Sequence, residues 1–329
     1  MGCGAPTLPA VLECSYNRCE LTVNNLTNEV IKAYPLKGNQ ILVCSTRNLK
    51  ILDTKLEKDI ITSNFDEQLF SLILINNPDY KLVQGTLRGP IIVKNLNTKE
   101  TQIFKGHLST ITTLNMLKNG RLISSDADGR IIIWDTKKGK KVESFFAFHS
   151  TIWNVCELNN KKIVITGDKN RSKVFNLKNK EQDRCELLFN TPNCKCLAQL
   201  TDGRIIYNNK NNLVIYTFYK IPDVSEDIEQ IRKKGYHEPD KIIDSAHESD
   251  ISYILPLKTG EVITGAEDGV IRVWHVKYDF ACTVELAGHK NRINYIAEFP
   301  RNRLVTCSDD KRVKIWGCNQ ELINTEMFI

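Results

Sequence analysis

The stretch GHLSTITTLNMLKNGRLISSDADGRIIIWD, residues 106–135, decides the fold. It holds two short apolar runs, RLISS (121–125) and IIIWD ending at Asp135, joined by Asp128-Gly129. Two alternating runs across an Asp-Gly pair form a β-hairpin, and helical periodicity is absent. Upstream stands His107, and Ser124 follows it by seventeen residues; Asp128 comes four later and Trp134 six after that.

The same pattern recurs along the chain, and repeats of this length announce a repeat architecture. The second run of each hairpin ends at Asp53, Asn95, Asp135, Asn176, Thr217, His275 and Gly317, at intervals of 42, 40, 41, 41, 58 and 42 residues. Seven units result, and one interval is longer by about 17 residues. His107, His149, His247 and His289 precede four of the hairpins, with Ser124, Thr166, Thr264 and Thr306 seventeen residues on. In three of these the hydroxyl is followed by Asp128, Asp268 or Asp310, and then by Trp134, Trp274 or Trp316. The unit of His149 is one residue shorter and ends in Phe175. Leu52, Lys94 and Tyr216 fill the Trp position of the remaining units, whose assignment rests on spacing and strand pattern.

Over nearly the whole chain this pattern resembles the WD-repeat β-propeller family, through Gly106-His107…Trp134-Asp135, Ala246-His247…Trp274-His275 and Gly288-His289…Trp316-Gly317. The resemblance implies an all-β, seven-bladed β-propeller of four-stranded antiparallel blades. It also implies that the His, Ser/Thr, Asp and Trp of a unit form a hydrogen-bonded chain inside the blade. The residue types suit that role: a carboxylate accepts from one imidazole nitrogen, the other nitrogen meets the hydroxyl, and the hydroxyl accepts from the indole N–H. The expected sets are His107, Ser124, Asp128, Trp134; His247, Thr264, Asp268, Trp274; and His289, Thr306, Asp310, Trp316. His, Ser and Asp are also triad types, but a nucleophile needs an accessible Oγ and an oxyanion site, and a repeated set reads as structural. Trp153, four after His149 as Ile111, Ile251 and Ile293 are four after theirs, reads as an inward-facing core residue.

Two segments compete for the outer strand of the last blade, residues 18–24 (RCELTVN) and 321–329; an open edge there would invite aggregation. Residues 1–28 therefore form an N-terminal segment that can supply a closing strand, and 29–329 the propeller. The long interval places an insertion at about 221–240. Within it Asp223 and Glu226 have capping-box spacing, early acids and late bases match a helix dipole, and Gly235 marks a stop, so a short helix is expected.

The rest of the sequence narrows the function. A net charge of +6, from 45 Lys and Arg against 39 Asp and Glu, is too mild to indicate nucleic acid. No run of eighteen apolar residues is present, so no membrane insertion is expected. Eleven cysteines, an odd count without a secretory leader, read as reduced thiols in the cytoplasm. Pro6 replaces the hydroxyl that acylation at Gly2 and Cys3 requires. Cys14 with Cys19, and Cys194 with Cys196, lack zinc spacing, and Asp126-Ala127-Asp128-Gly129 is a hairpin turn rather than a calcium loop. No cofactor, metal or small-molecule substrate is expected.

The leading expectation is a non-catalytic protein–protein interaction scaffold or complex subunit, with proteins or peptides as partners. The resemblance implies binding through the propeller's top face, where residues after the His and before the turn Asp lie: Glu248, Asp250 and Glu267 on one blade, Lys290, Arg292 and Asp309 on the next, with Asp309 placed to pair with Arg292. The alternative is a substrate receptor of a ubiquitin ligase. Members of that kind carry Trp-Asp-x-Arg, where this chain reads Trp134-Asp135-Thr136-Lys137, and Lys lacks the bidentate fork of Arg.

Overall fold

A computed structural model describes residues 16, 18–24, 26–55, 58–65, 69–76, 79–168, 170–178, 185–217 and 239–317. These form seven four-stranded antiparallel sheets and almost no helix, the fold of a seven-bladed β-propeller. The expected insertion helix at 223–235, the strand candidate 321–329 and the acylation motif lie outside the described residues.

In chain order, β1 (Arg18–Val23) comes first. Blade one follows with β2 (Val30–Pro35), β3 (Gln40–Ser45), β4 (Asn48–Asp53) and β5 (Lys58–Asn64). Blade two holds β6 (Ser71–Asn76), β7 (Tyr80–Gly85), β8 (Ile91–Asn95) and β9 (Thr101–Phe104); blade three β10 (Ile111–Met116), β11 (Leu122–Asp126), β12 (Arg130–Asp135) and β13 (Lys140–Phe146). Blade four holds β14 (Ile152–Glu157), β15 (Ile163–Gly167), β16 (Arg171–Phe175) and β17 (Cys185–Asn190); blade five β18 (Leu197–Gln199), β19 (Ile205–Asn209), β20 (Asn212–Tyr216) and β21 (Lys241–Ile243). Blade six holds β22 (Ile251–Pro256), β23 (Glu261–Ala266), β24 (Ile271–His275) and β25 (Ala281–Leu286). Blade seven has β26 (Ile293–Phe299), β27 (Arg303–Ser308) and β28 (Val313–Gly317). All but the last are plain meanders; in blade seven the fourth strand is β1, which pairs with β28 from Arg18 opposite Gly317 to Val23 opposite Val313. Of the two candidate closing segments, the N-terminal one is thus seen on the blade.

The chain divides into two compact units, Met1–Ser63 with Ser252–Ile329, and Asn64–Ile251. In the first, Val30, Ile41, Val43 and Leu52 of blade one pack on Val305, Cys307, Val313 and Ile315 of blade seven. In the second, Ile123, Ile131, Ile133 and Phe145 of blade three pack on Ile152, Ile163, Ile165 and Phe175 of blade four. Strands such as β12 are buried at consecutive positions from Ile131 to Trp134. Both faces of blade three are covered by blades two and four, so the two-residue alternation of a half-exposed sheet gives way to an apolar run. Each such isoleucine contributes roughly 1.5–3 kcal/mol of burial.

Four of the first strands share a device. Pairing slips by one residue between Val30 and Lys32, Ile111 and Thr113, Ile152 and Asn154, and Ile293 and Tyr295. A bulge of this kind re-aims the extra side chain, and Trp153 is such an extra residue. It is 46% exposed, against the expectation of a core position. Ile152, not Trp153, is the buried counterpart of Ile111 and Ile293.

Candidate functional site

Three indoles anchor the blades as their register suggests. Trp134 Nε1 donates to Ser124 Oγ at 2.8 Å, Trp274 Nε1 to Thr264 Oγ1 at 2.8 Å and Trp316 Nε1 to Thr306 Oγ1 at 2.9 Å. The three hydroxyls are fully buried. In blade seven, His289 Nε2 meets Thr306 at 2.8 Å and its Nδ1 meets Asp310 Oδ2 at 2.9 Å; Asp310 also accepts from the backbone N–H groups of Lys290 and Arg312, each at 3.0 Å. Burial by itself would raise the Asp310 carboxyl, but the His289 ring and these N–H groups hold it below the usual carboxylate range. In blade six, His247 is buried and Asp268 Oδ1 accepts from Val270 N at 2.8 Å.

Blade three corrects one member of its set. His107 Nε2 lies 2.6 Å from Ser124, but the carboxylate at its Nδ1 is Asp126, at 2.7 Å, not Asp128. Asp126 ends β11 in a buried position, and its other oxygen accepts from Asp128 N at 3.1 Å and Arg130 N at 2.9 Å. That turn directs Asp128 outward, where it is exposed. The turn itself needs Gly129, at φ 85°, because a Cβ there would lie 2.3 Å from the carbonyl oxygen of Phe148. Gly106 is fixed by the same blade: its Cβ would meet the Trp134 ring at 2.9 Å.

Blade four departs further. His149 is exposed and stacks on Phe146 with ring centroids 6.0 Å apart, while Thr166 faces the Cys194 thiol. Phe148 takes the buried place, its ring under Lys173 Nζ at 4.8 Å, and Gly167 makes room for it.

The charged loop residues fall in two groups. Glu248, exposed, and Asp250, partly buried, lie between β21 and β22 in the unit Asn64–Ile251. Glu267 and Lys290, exposed, and Arg292 and Asp309, partly buried, lie on loops of the other unit. Asp309 does not pair with Arg292. Its carboxylate accepts from Asn294 Nδ2 at 2.5 Å, because Asn294 is the bulge residue of β26 and is aimed at it; only the backbones of Asp309 and Arg292 bond, at 3.1 Å. Asp135 of the Trp-Asp pair closes its own turn, accepting from Lys137 N and Lys138 N at 3.0 Å, and the Lys138 bond chiefly lowers its pKa.

Among the described residues no group of three His, Cys, Asp or Glu side chains could hold a metal ion, and no helix is long and apolar enough to cross a membrane.

Comparison with known proteins agrees with the blade geometry. The family model for the WD domain, G-beta repeat, matches residues 98–135, 240–275 and 280–317, each carrying one of the three indoles. Three segments of the chain thus match the WD-repeat model, and its fold is that of a seven-bladed β-propeller. No curated protein matches the sequence. Among solved structures, a chain in the crystal structure of the mitotic checkpoint complex superposes with a TM-score of 0.72 over 96% of each chain, at 13% identity, a likeness of fold.

Proposed function

We propose that this propeller is a non-catalytic interaction scaffold, a subunit of a multiprotein complex that binds proteins or peptides through the loops where its second-to-third-strand turns meet the interblade connections. One observation carries the reading. The hydroxyls that would have to serve as nucleophiles, Ser124, Thr264 and Thr306, are fully buried and each holds an indole. Chemistry needs an accessible Oγ. With their reactive types inside the blades, the loops are left with varied exposed charges such as Glu248, Glu267 and Lys290. Such charges steer and orient a polar partner more than they tighten it.

The test is purification of a tagged chain from its native source, followed by size-exclusion chromatography. Co-elution with at least one other protein in fixed stoichiometry is expected. Lys290→Glu combined with Arg292→Glu should slow association with that protein and weaken its salt dependence while leaving the melting temperature unchanged. Elution as the lone chain would overturn the scaffold reading.

A further inference from the structure

The unit Asn64–Ile251 gathers four exposed bulky apolar side chains at one end. Leu87 lies in the β7–β8 turn, Leu108 between β9 and β10, Phe146 at the end of β13 and Trp153 at the bulge of β14. Hydrogen bonds join these segments in succession. Thr110 Oγ1 donates to the Leu87 carbonyl at 3.0 Å, Ala127 N to the Thr110 carbonyl at 3.0 Å, and Asp168 N to the Thr151 carbonyl at 3.1 Å. Gly129 lies against the carbonyls of Phe148 and Ser150, which ties the blade-three turn to the loop leading into Trp153. The loops that carry the four residues therefore form one continuous series.

Their exposure is not that of scattered single residues. Leu108 is 84% exposed. Trp153 donates its indole N–H to Asp168 Oδ1 at 2.7 Å, and Asp168 Oδ2 accepts from Thr151 N at 3.2 Å. The polar edge of the ring is thus satisfied within the chain and its orientation is fixed, so the surface it turns to solvent is apolar. Phe146 is held between the Arg130 guanidinium, 4.4 Å from its centroid, and His149. Rigid aromatic anchors of this sort carry the binding energy of protein interfaces, and clustered apolar exposure marks a contact site.

The charge around them is mainly positive. Arg88, Lys105 and Arg171 are exposed at these turns and connections, and Lys195 and Lys210 on the next ones, which Asn193 N joins by donating to Asn170 Oδ1 at 2.9 Å. Of the carboxylates there, Asp126 is buried against His107 and Asp168 is bonded to Trp153. Among the described residues this leaves Asp128 exposed, until the loop after blade five brings Asp244, Glu248 and Asp250.

We propose that this surface docks an acidic linear peptide segment of a partner protein, with one or two bulky apolar side chains on Trp153 and Leu108 and flanking carboxylates on Arg171, Lys195 and Arg88. The proposal rests on the scaffold reading and specifies the partner's chemistry.

The experiment selects a random sixteen-residue phage-displayed library on the full-length chain, then measures binding of fluorescein-labelled selected peptides by anisotropy at low and physiological salt. Enriched peptides should share a bulky apolar residue flanked by Asp or Glu, and should bind more weakly as salt rises. Trp153→Ala and Leu108→Asp should each weaken binding at least tenfold. Arg171→Glu with Lys195→Glu should weaken it comparably and flatten the salt dependence. Leu108, Arg171 and Lys195 are exposed, so those variants should melt as the parent does; they keep the test decisive if Trp153→Ala disturbs its bulge. Neutral or basic enriched peptides, unchanged affinity in the variants, or binding of a labelled oligouridylate in place of peptides would overturn the proposal. A native complex that survives all of these variants but is broken by the Lys290 and Arg292 reversal would sink this surface and leave the scaffold reading standing; a chain that co-purifies with nothing would sink the scaffold reading itself.

Discussion

Replacing Asp126 with alanine removes the acceptor of three hydrogen bonds at once: His107 Nδ1 at 2.7 Å, Asp128 N at 3.1 Å and Arg130 N at 2.9 Å. The His107 side chain is fully buried, so its nitrogen finds no water in exchange. The two turn bonds contribute about 1 kcal/mol each net, and the abandoned buried His107 donor costs about 1–3 kcal/mol, which together give a loss of about 3–5 kcal/mol. Asp128 is exposed and its side chain makes no hydrogen bond or ion pair among the described residues, so Asp128→Ala should stay within about 0.5 kcal/mol of the parent. Asp126→Asn should fall between, because an amide oxygen still accepts from the two turn N–H groups. Urea unfolding followed by tryptophan fluorescence reads the difference, since the Trp134 indole rests on the Ser124 hydroxyl that His107 also holds. An Asp128→Ala variant as unstable as Asp126→Ala would refute the assignment of the carboxylate.

Three further outcomes are expected. Burial pushes the Lys32 ammonium down to about 8, with Cys44 acting the other way, so between pH 8 and the ordinary lysine value of 10.5 the unfolded chain holds a proton that the folded chain lacks and this group's contribution to stability rises with pH. Lys32→Met should therefore stabilise the protein by about 1–3 kcal/mol at pH 7 and lose that advantage by pH 10.5; melting curves at both pH values check it, and destabilisation at pH 7 would show that the ammonium's contact with the Tyr295 ring, 5.5 Å away, outweighs desolvation. Iodide should quench one of the four tryptophans, and Trp153→Phe should abolish that accessible fraction, because Trp134, Trp274 and Trp316 are buried; quenching that survives the change would place Trp153 in the core. Removing residues 1–23 deletes β1 and bares the edge of β28, so the shortened chain should aggregate, and a synthetic peptide spanning 16–24 added during refolding should restore solubility; a monomer with the parent's melting temperature would contradict this.

The seven hairpins were legible because a blade is a nearest-neighbour unit, and its third strand repeats near every 41 residues except across the one insertion. The indole–hydroxyl bonds were legible for the same reason, since Trp and hydroxyl face each other across two adjacent strands. The Asp126 bond was not. Asp126 and Asp128 flank one turn, and an offset counted from Ser124 selects the residue that matches Asp310, whereas burial at the strand end selects the other. Trp153 was misplaced by a single residue. In β2, β10 and β26 a bulge separates the first two buried apolar residues by three positions, as in Val30 and Ala33, Ile111 and Leu114, Ile293 and Ile296. That spacing aligns Ile152 and Val155 with the others and leaves Trp153 outside. Arg292 and Asp309 are both on loops of blade seven, but which side chain Asp309 meets depended on the same bulge, which brings Asn294 to it.

The pairing of β1 with β28 has a temporal consequence. Blades two to five are continuous in sequence, and each can close on itself as it leaves the ribosome. Blade seven cannot: its outer strand is synthesised first and its partner, Val313–Gly317, comes about 290 residues later, roughly 15–60 s at ordinary elongation rates. For that interval β1 is a strand without a ladder, and the residues that will line its side of the sheet are unmade. The half-exposed face of β1, with Arg18 exposed and Glu20 paired with Arg303 at 3.4 Å rather than an apolar run, suits a segment that has to wait in water before it is used.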